Sequence, residues 1–162
     1  MRKHLPHGSR LALVLLSLVF VSAVVLAAQQ MEHTKAFTGT WKLNLAKSKI
    51  SPGPPPQSVT VTFAPDGTTT LEIVNDKGKA SQFSYPWSGG KEVPVTGEGL
   101  ENTTVTDSIQ GRTKDNIVKT NGKVVRTSRD ILSPDGRSFT ATVDITDAQG
   151  RSVHGLEVYE KQ

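Results

Sequence analysis

From Phe37 onward the chain alternates between apolar and polar positions. Phe37, Gly39, Trp41, Leu43 and Leu45 share one face of an extended segment, and Thr38, Thr40, Lys42 and Asn44 share the other. A period of two marks a half-buried β-strand. Similar stretches, rich in threonine and valine, follow at residues 58–64, 68–75, 79–87, 91–96, 103–110, 112–120, 123–132, 138–146 and 152–161. Glycine-centred turns separate most of them, at Gly67, Gly78, Gly89, Gly111, Gly122, Gly136 and Gly150. Pro65-Asp66-Gly67 and Pro134-Asp135-Gly136 carry turn residues in suitable places. Asn121-Gly122 is the strongest hairpin signal. Pro94 makes the 91–96 stretch irregular or edge-like, because proline cannot donate to a ladder.

The pattern predicts an all-β fold of about ten strands. Nearly every connection is short, so sequential neighbours pair, whereas a sandwich would need some long crossings. A long meander must hide its edges, and closure into an up-and-down antiparallel barrel does so. A membrane-spanning barrel would require an outward apolar band. The second faces here, Thr40-Lys42-Asn44 and Ser138-Thr140-Thr142-Asp144, are polar. Residues 46–57 interrupt the beat with four prolines, which bar a helix from the second half of the segment and favour extended chain. That segment reads as a loop over one barrel end. Its stiff part, residues 51–57 between Ser51 and Gln57, is a candidate protein-docking element.

The N-terminus differs. Arg2, Lys3 and Arg10 precede an apolar run over 11–26, broken only by Ser17 and Ser22. Val25 and Ala27 suit the −3 and −1 positions of a signal-peptidase site. Residues 1–28 are expected to be a signal peptide, 29–36 a flexible lead-in and 37–162 one barrel domain, secreted or periplasmic. An uncleaved anchor is the alternative, since the run approaches spanning length. The run ends in Ala27-Ala28-Gln29-Gln30, with no basic flank, and that favours cleavage without stable membrane insertion afterwards. The chain has no cysteine, so no acylated-cysteine anchor, disulfide framework or thiolate site is available.

Cleavage also changes the charge. The full chain carries 19 Lys+Arg against 15 Asp+Glu. Three of the bases and no acid lie in 1–28, leaving 16 against 15, or about +1. No stripe of lysine and arginine remains, which argues against nucleic acid as a partner.

A barrel interior is the natural place for function. Phe83, Tyr85 and Trp87 share one face and are candidates for an apolar pocket wall, or for core. In 123–132, Val125, Thr127, Arg129 and Ile131 share one face, and Val124, Arg126, Ser128, Asp130 and Leu132 the other. Either face carries an arginine among apolar neighbours, and inside a barrel it must be paired, hydrated or used on a ligand. Asp107 sits between Val105 and Ile109, and Glu157 between Gly155 and Tyr159. A cavity constellation of Asp107, Arg129, Glu157 and Tyr159 is the functional reading. An internal ion pair, or exposure to solvent, is the structural one. His33 and His154 are isolated, and no spacing suggests a metal site. No nucleophile elbow or phosphate loop occurs. No enzyme activity, cofactor or metal is expected.

Phe37-Thr38-Gly39-Thr40-Trp41-Lys42-Leu43 resembles the opening strand of the fatty-acid-binding proteins and the Gly-x-Trp start of the lipocalins. Val158-Tyr159-Glu160-Lys161 resembles the closing strand of the fatty-acid-binding group. With the Gly-Thr-Trp-Lys-Leu-Asn start and the proline-rich loop, the chain looks like secreted bacterial lipocalin-like proteins. The resemblance implies a calycin-type barrel whose floor is closed by Trp41. Two departures matter. The proline-rich interval leaves no room for the helical lid of the fatty-acid-binding group. Their carboxylate-binding Arg-x-Tyr pair corresponds here to Glu157 and Tyr159, and a carboxylate at that place repels an anionic head group. The expected function is binding or carriage of a small hydrophobic or amphipathic ligand. The alternative is a non-enzymatic interaction module acting through its rim loops.

Overall fold

Side chains branched at Cβ fit a pleated, half-buried surface better than a helix, and they recur through most of the stretches between the turns. The computed structural model describes residues 35–50, 54–146 and 150–162. The signal-peptide expectation for 1–28, most of the 29–36 lead-in, His33, and Ser51, Pro52 and Gly53 of the proline-rich loop lie outside the described residues.

Within them, eleven antiparallel strands make one sheet: β1 (Gly39–Leu43), β2 (Ser58–Phe63), β3 (Thr68–Val74), β4 (Ala80–Pro86), β5 (Val93–Pro94), β6 (Thr96–Gly97), β7 (Thr103–Gln110), β8 (Thr113–Thr120), β9 (Lys123–Leu132), β10 (Ser138–Thr146) and β11 (Ser152–Lys161). Their order is β5-β7-β8-β9-β10-β11-β1-β2-β3-β4-β6. The first and last long strands pair, with Leu43 opposite Tyr159. The two outermost strands of that order, β5 and β6, are consecutive pieces of one short segment. The sheet is therefore a nearly closed up-and-down barrel. Between β1 and β2 the described chain makes a 3-10 turn at Leu45–Lys47 and a bridge from Lys49 to Leu156, not a helical lid.

The single strand expected over 91–96 is instead split, and this raises the count from ten to eleven. Val93 and Pro94 pair with Val105 and Thr104 of β7. Val95 then donates its N–H to Thr103 O, and Thr96 and Gly97 pair with Ser84 and Phe83 of β4. Proline lacks an N–H, so the segment cannot run a full ladder to either neighbour and crosses between them. Gly97 permits the crossing. A Cβ built there would lie 2.8 Å from Phe83 Cβ and 3.1 Å from the Gln82 carbonyl oxygen. Gly97→Ala is expected to destabilise the barrel by about 1–3 kcal/mol through overpacking, read as a lower urea midpoint. An unchanged midpoint would mean that the segment contributes nothing to closure.

Asn121-Gly122 turns β8 into β9 as its sequence predicts. Asn121 has φ 52° and Gly122 φ 74°, the positive pair that a two-residue hairpin turn of matching twist requires. A few residues on, the ladder slips. Thr120 and Lys119 face Lys123 and Val124, but Val118 faces Arg126. Val125 is the extra residue of a β-bulge.

The inward side chains divide the barrel lengthwise. At one end Phe37, Trp41, Leu43, Val59, Val61, Leu132, Phe139, Ala141, Val143 and Tyr159 form a continuous core. Phe139 stacks on Tyr159 with ring centres 4.6 Å apart and meets Trp41 edge-on at 5.1 Å. Such ring contacts add to the burial term. Trp41 is fully buried, and its indole N–H donates to the Phe37 carbonyl at 2.7 Å. The other end is hollow.

Candidate functional site

The hollow end is a cavity of about 450 Å³. Its wall is mostly apolar, with Leu71, Ile73, Phe83, Val105, Val118 and Ile145 contributed by β3, β4, β7, β8 and β10. Val95 and Leu100, from the crossing segment and the loop after it, line the same space, and Pro56 comes from the proline-rich interval. Tyr85, Asn116, Arg126, Glu157 and Tyr159 supply polar groups. The bulge places both Val125 and Arg126 on this wall.

Cross-strand pairing explains the polar groups. On the inner face, Asn116 stands opposite Asp107 and Lys114 opposite Asp130. Asp107, Lys114, Asn116, Ser128 and Asp130 are all buried. The Lys114 Nζ lies 3.1 Å from Asp107 Oδ1 and 3.2 Å from Asp130 Oδ2. Asn116 Nδ2 donates to Asp107 Oδ1 at 2.8 Å. The Asp107 main chain is held as well: its N–H donates to Ser88 Oγ at 2.5 Å, and the Ser88 hydroxyl donates to its carbonyl at 2.9 Å. Lys114 also lies 5.5 Å from the Phe63 ring centre, within cation–π range. Burial works against its charge, but Asp107 and Asp130 outweigh burial and raise the Lys114 pKa well above the ordinary lysine value. Lys114 is thus held as an ammonium without a free lone pair, a counter-ion and not a nucleophile.

A second polar chain begins at Arg126. Its guanidinium donates to Asn116 Oδ1 at 3.3 Å and Ser128 Oγ at 3.4 Å, and reaches across β10 to Glu157 Oε2 at 3.4 Å. Tyr159 OH donates to the same Glu157 oxygen at 3.0 Å. Burial raises the pKa of Tyr159, and Glu157 adds to the effect. Burial likewise raises that of Tyr85. Both phenols stay neutral donors over the ordinary range of pH.

The structure distributes the sequence candidates unevenly. Phe83, Tyr85, Glu157 and Tyr159 line the cavity. Asp107 points inward but is fully buried behind Lys114 and Asn116. Trp87 sits toward the solid end, beside a separate void of about 20 Å³ lined also by Phe37, Phe63 and Gly67. Arg129 is not in the constellation. It lies on the outer face, where Nε and Nη2 donate to Asp115 at 2.7 and 3.2 Å. The inward arginine is Arg126, because the bulge brings Arg126, Ser128 and Asp130 opposite Val118, Asn116 and Lys114. Trp41 belongs to the solid end. Lys114, Asn116 and Asp130 were not singled out by sequence reasoning. Their alternation with Val118 and Leu132 was the available signal.

Among the described residues, no group of three or more His, Cys, Asp or Glu is gathered as for a metal ion. A scan against protein-family models and a search of curated proteins each find no match for this chain.

Proposed function

We propose that this protein is an exported, lipocalin-like carrier. Its hollow end holds a small hydrophobic or amphipathic molecule, apolar body against Leu71, Phe83, Val105 and Val118 and polar end toward Arg126, Glu157 and Tyr159. The observation that carries this reading is the cavity itself. At about 450 Å³ it falls within the range of small-molecule sites, about 300–1,000 Å³, and it has their usual make-up of apolar wall and few polar groups. Glu157 does not face the cavity as a bare carboxylate, since Arg126 and Tyr159 both engage it.

Native mass spectrometry of the protein purified gently from its own host tests the proposal, with Val105→Trp as a variant that fills the cavity. A small mass is expected on the wild type, released on denaturation and absent from the variant. A bare wild-type chain that takes up nothing from a lipid and metabolite extract would overturn the carrier reading. It would favour a module that docks a partner on the proline-rich segment, where Pro54 and Pro55 are exposed.

A further inference from the structure

The cavity does not end at Arg126. A smaller space of about 40 Å³ continues inward, sharing Leu71, Tyr85, Asn116, Arg126 and Tyr159 with the large cavity and reaching Lys114 and Asp130. Asp130 is 5% exposed. Its Oδ2 meets Lys114 at 3.2 Å, and its Oδ1 is buried with no hydrogen-bond partner among the described residues. A buried carboxylate oxygen without a donor is costly and calls for one. The surrounding charge points the same way. Among the described residues, Asp107, Asp130 and Glu157 face two cations, Lys114 and Arg126, both already engaged with those carboxylates.

We propose that the inner space is a subsite for a primary ammonium group, with Asp130 Oδ1 as its acceptor, and that the ligand is a small amphipathic amine. This rests on the carrier reading above and names its ligand class. An anionic head would add a fourth carboxylate against two engaged cations. An ammonium restores the balance and supplies the missing donor. Donor count selects among cations. A primary ammonium has N–H groups to offer Asp130 Oδ1, whereas a trimethylammonium head has none. The apolar body then extends from Asp130 past Tyr85 toward Val118 and the mouth.

Titrating the full chain with decylamine, decanol, decanoate and decyltrimethylammonium, followed by calorimetry at neutral pH, tests this. Decylamine is expected to bind about tenfold more tightly than decanol, the scale of one hydrogen bond to a charged group. Decanoate and the trimethyl compound should bind more weakly than decylamine. Asp130→Asn should bring decylamine within about threefold of decanol while decanol still binds. If that variant does not fold, Glu157→Gln removes one carboxylate without touching Lys114 and should also shrink the preference. Decylamine binding no better than decanol, or decanoate binding best, overturns the amine subsite and leaves the carrier intact. No binding of any of the four overturns both.

Discussion

Lys114→Met is expected to destabilise the barrel by about 3–5 kcal/mol, the usual loss when one partner of a buried ion cluster is removed. The methionine is close in length and apolar, so packing against Phe63 changes little. What changes is the charge. Asp107 and Asp130 are left buried with Oδ2 of one and Oδ1 of the other already unpartnered among the described residues. Asp107 is fully buried, and Asp130 borders only the small inner space of about 40 Å³. Urea denaturation should show a lower midpoint with the slope unchanged, since the surface exposed on unfolding is the same. Combining Lys114→Met with Asp107→Asn and Asp130→Asn should recover much of the loss, because neutralising the whole cluster removes the desolvation penalty with the attraction. A single-variant loss below about 1 kcal/mol would mean that the cluster is hydrated in solution and is not a sealed interior.

Stability is expected to hold through neutral pH and to fall steeply above about pH 10. Lys114, Tyr85 and Tyr159 all have folded pKa values raised above their ordinary ones. As pH rises, the unfolded chain therefore releases these protons first. It then binds fewer protons than the folded chain, so the unfolding free energy declines with pH. Each group contributes about 1.4 kcal/mol per pH unit once its unfolded form titrates, and the three together up to roughly 4. The causes differ: burial alone dominates at the two tyrosines, while at Lys114 the carboxylates overcome burial. Thermal melts between about pH 8 and 11 measure the slope, and Lys114→Met should be shallower by about one proton. A melting temperature indifferent to pH across that interval would mean that neither phenol is sealed from water.

The bulge at Val125 explains how much of the site was legible beforehand. Alternation in 123–132 gave two faces of similar apolarity, so it could not say whether Arg126 or Arg129 points inward. Carrying the Asn121-Gly122 turn forward without slippage would set Lys114 against Arg129, two like charges. One extra residue moves the register, so that Lys114 meets Asp130 inside and Asp115 meets Arg129 outside. Cross-strand charge pairing is the physical term that selects between these registers, and it acts only once both strands are in hand. The barrel was readable from Gly67 to Gly150 because turn chemistry and a period of two are local signals. The cavity constellation was readable only in part: Glu157 and Tyr159 line the cavity, but Arg126 meets Glu157 across β10 from a strand far away in sequence. The crossing of Val93–Pro94 and Thr96–Gly97 was legible only as irregularity. Pro94 announced a weak strand without showing that it would be shared between two neighbours.

The lengthwise division of the barrel has an evolutionary consequence. The aromatic stack holds the fold at one end, and most of the wall that the apolar body of a ligand would meet lies at the other, with Tyr159 and the Lys114 cluster between them. Val118, Val125, Leu100 and Ile145 border the hollow end and lie outside the continuous aromatic core. Changes there reshape the hollow without removing a ring-to-ring contact of the solid end or exposing a buried charge. Such a chain can drift toward new small molecules by ordinary substitution while its folding determinants stay under separate selection.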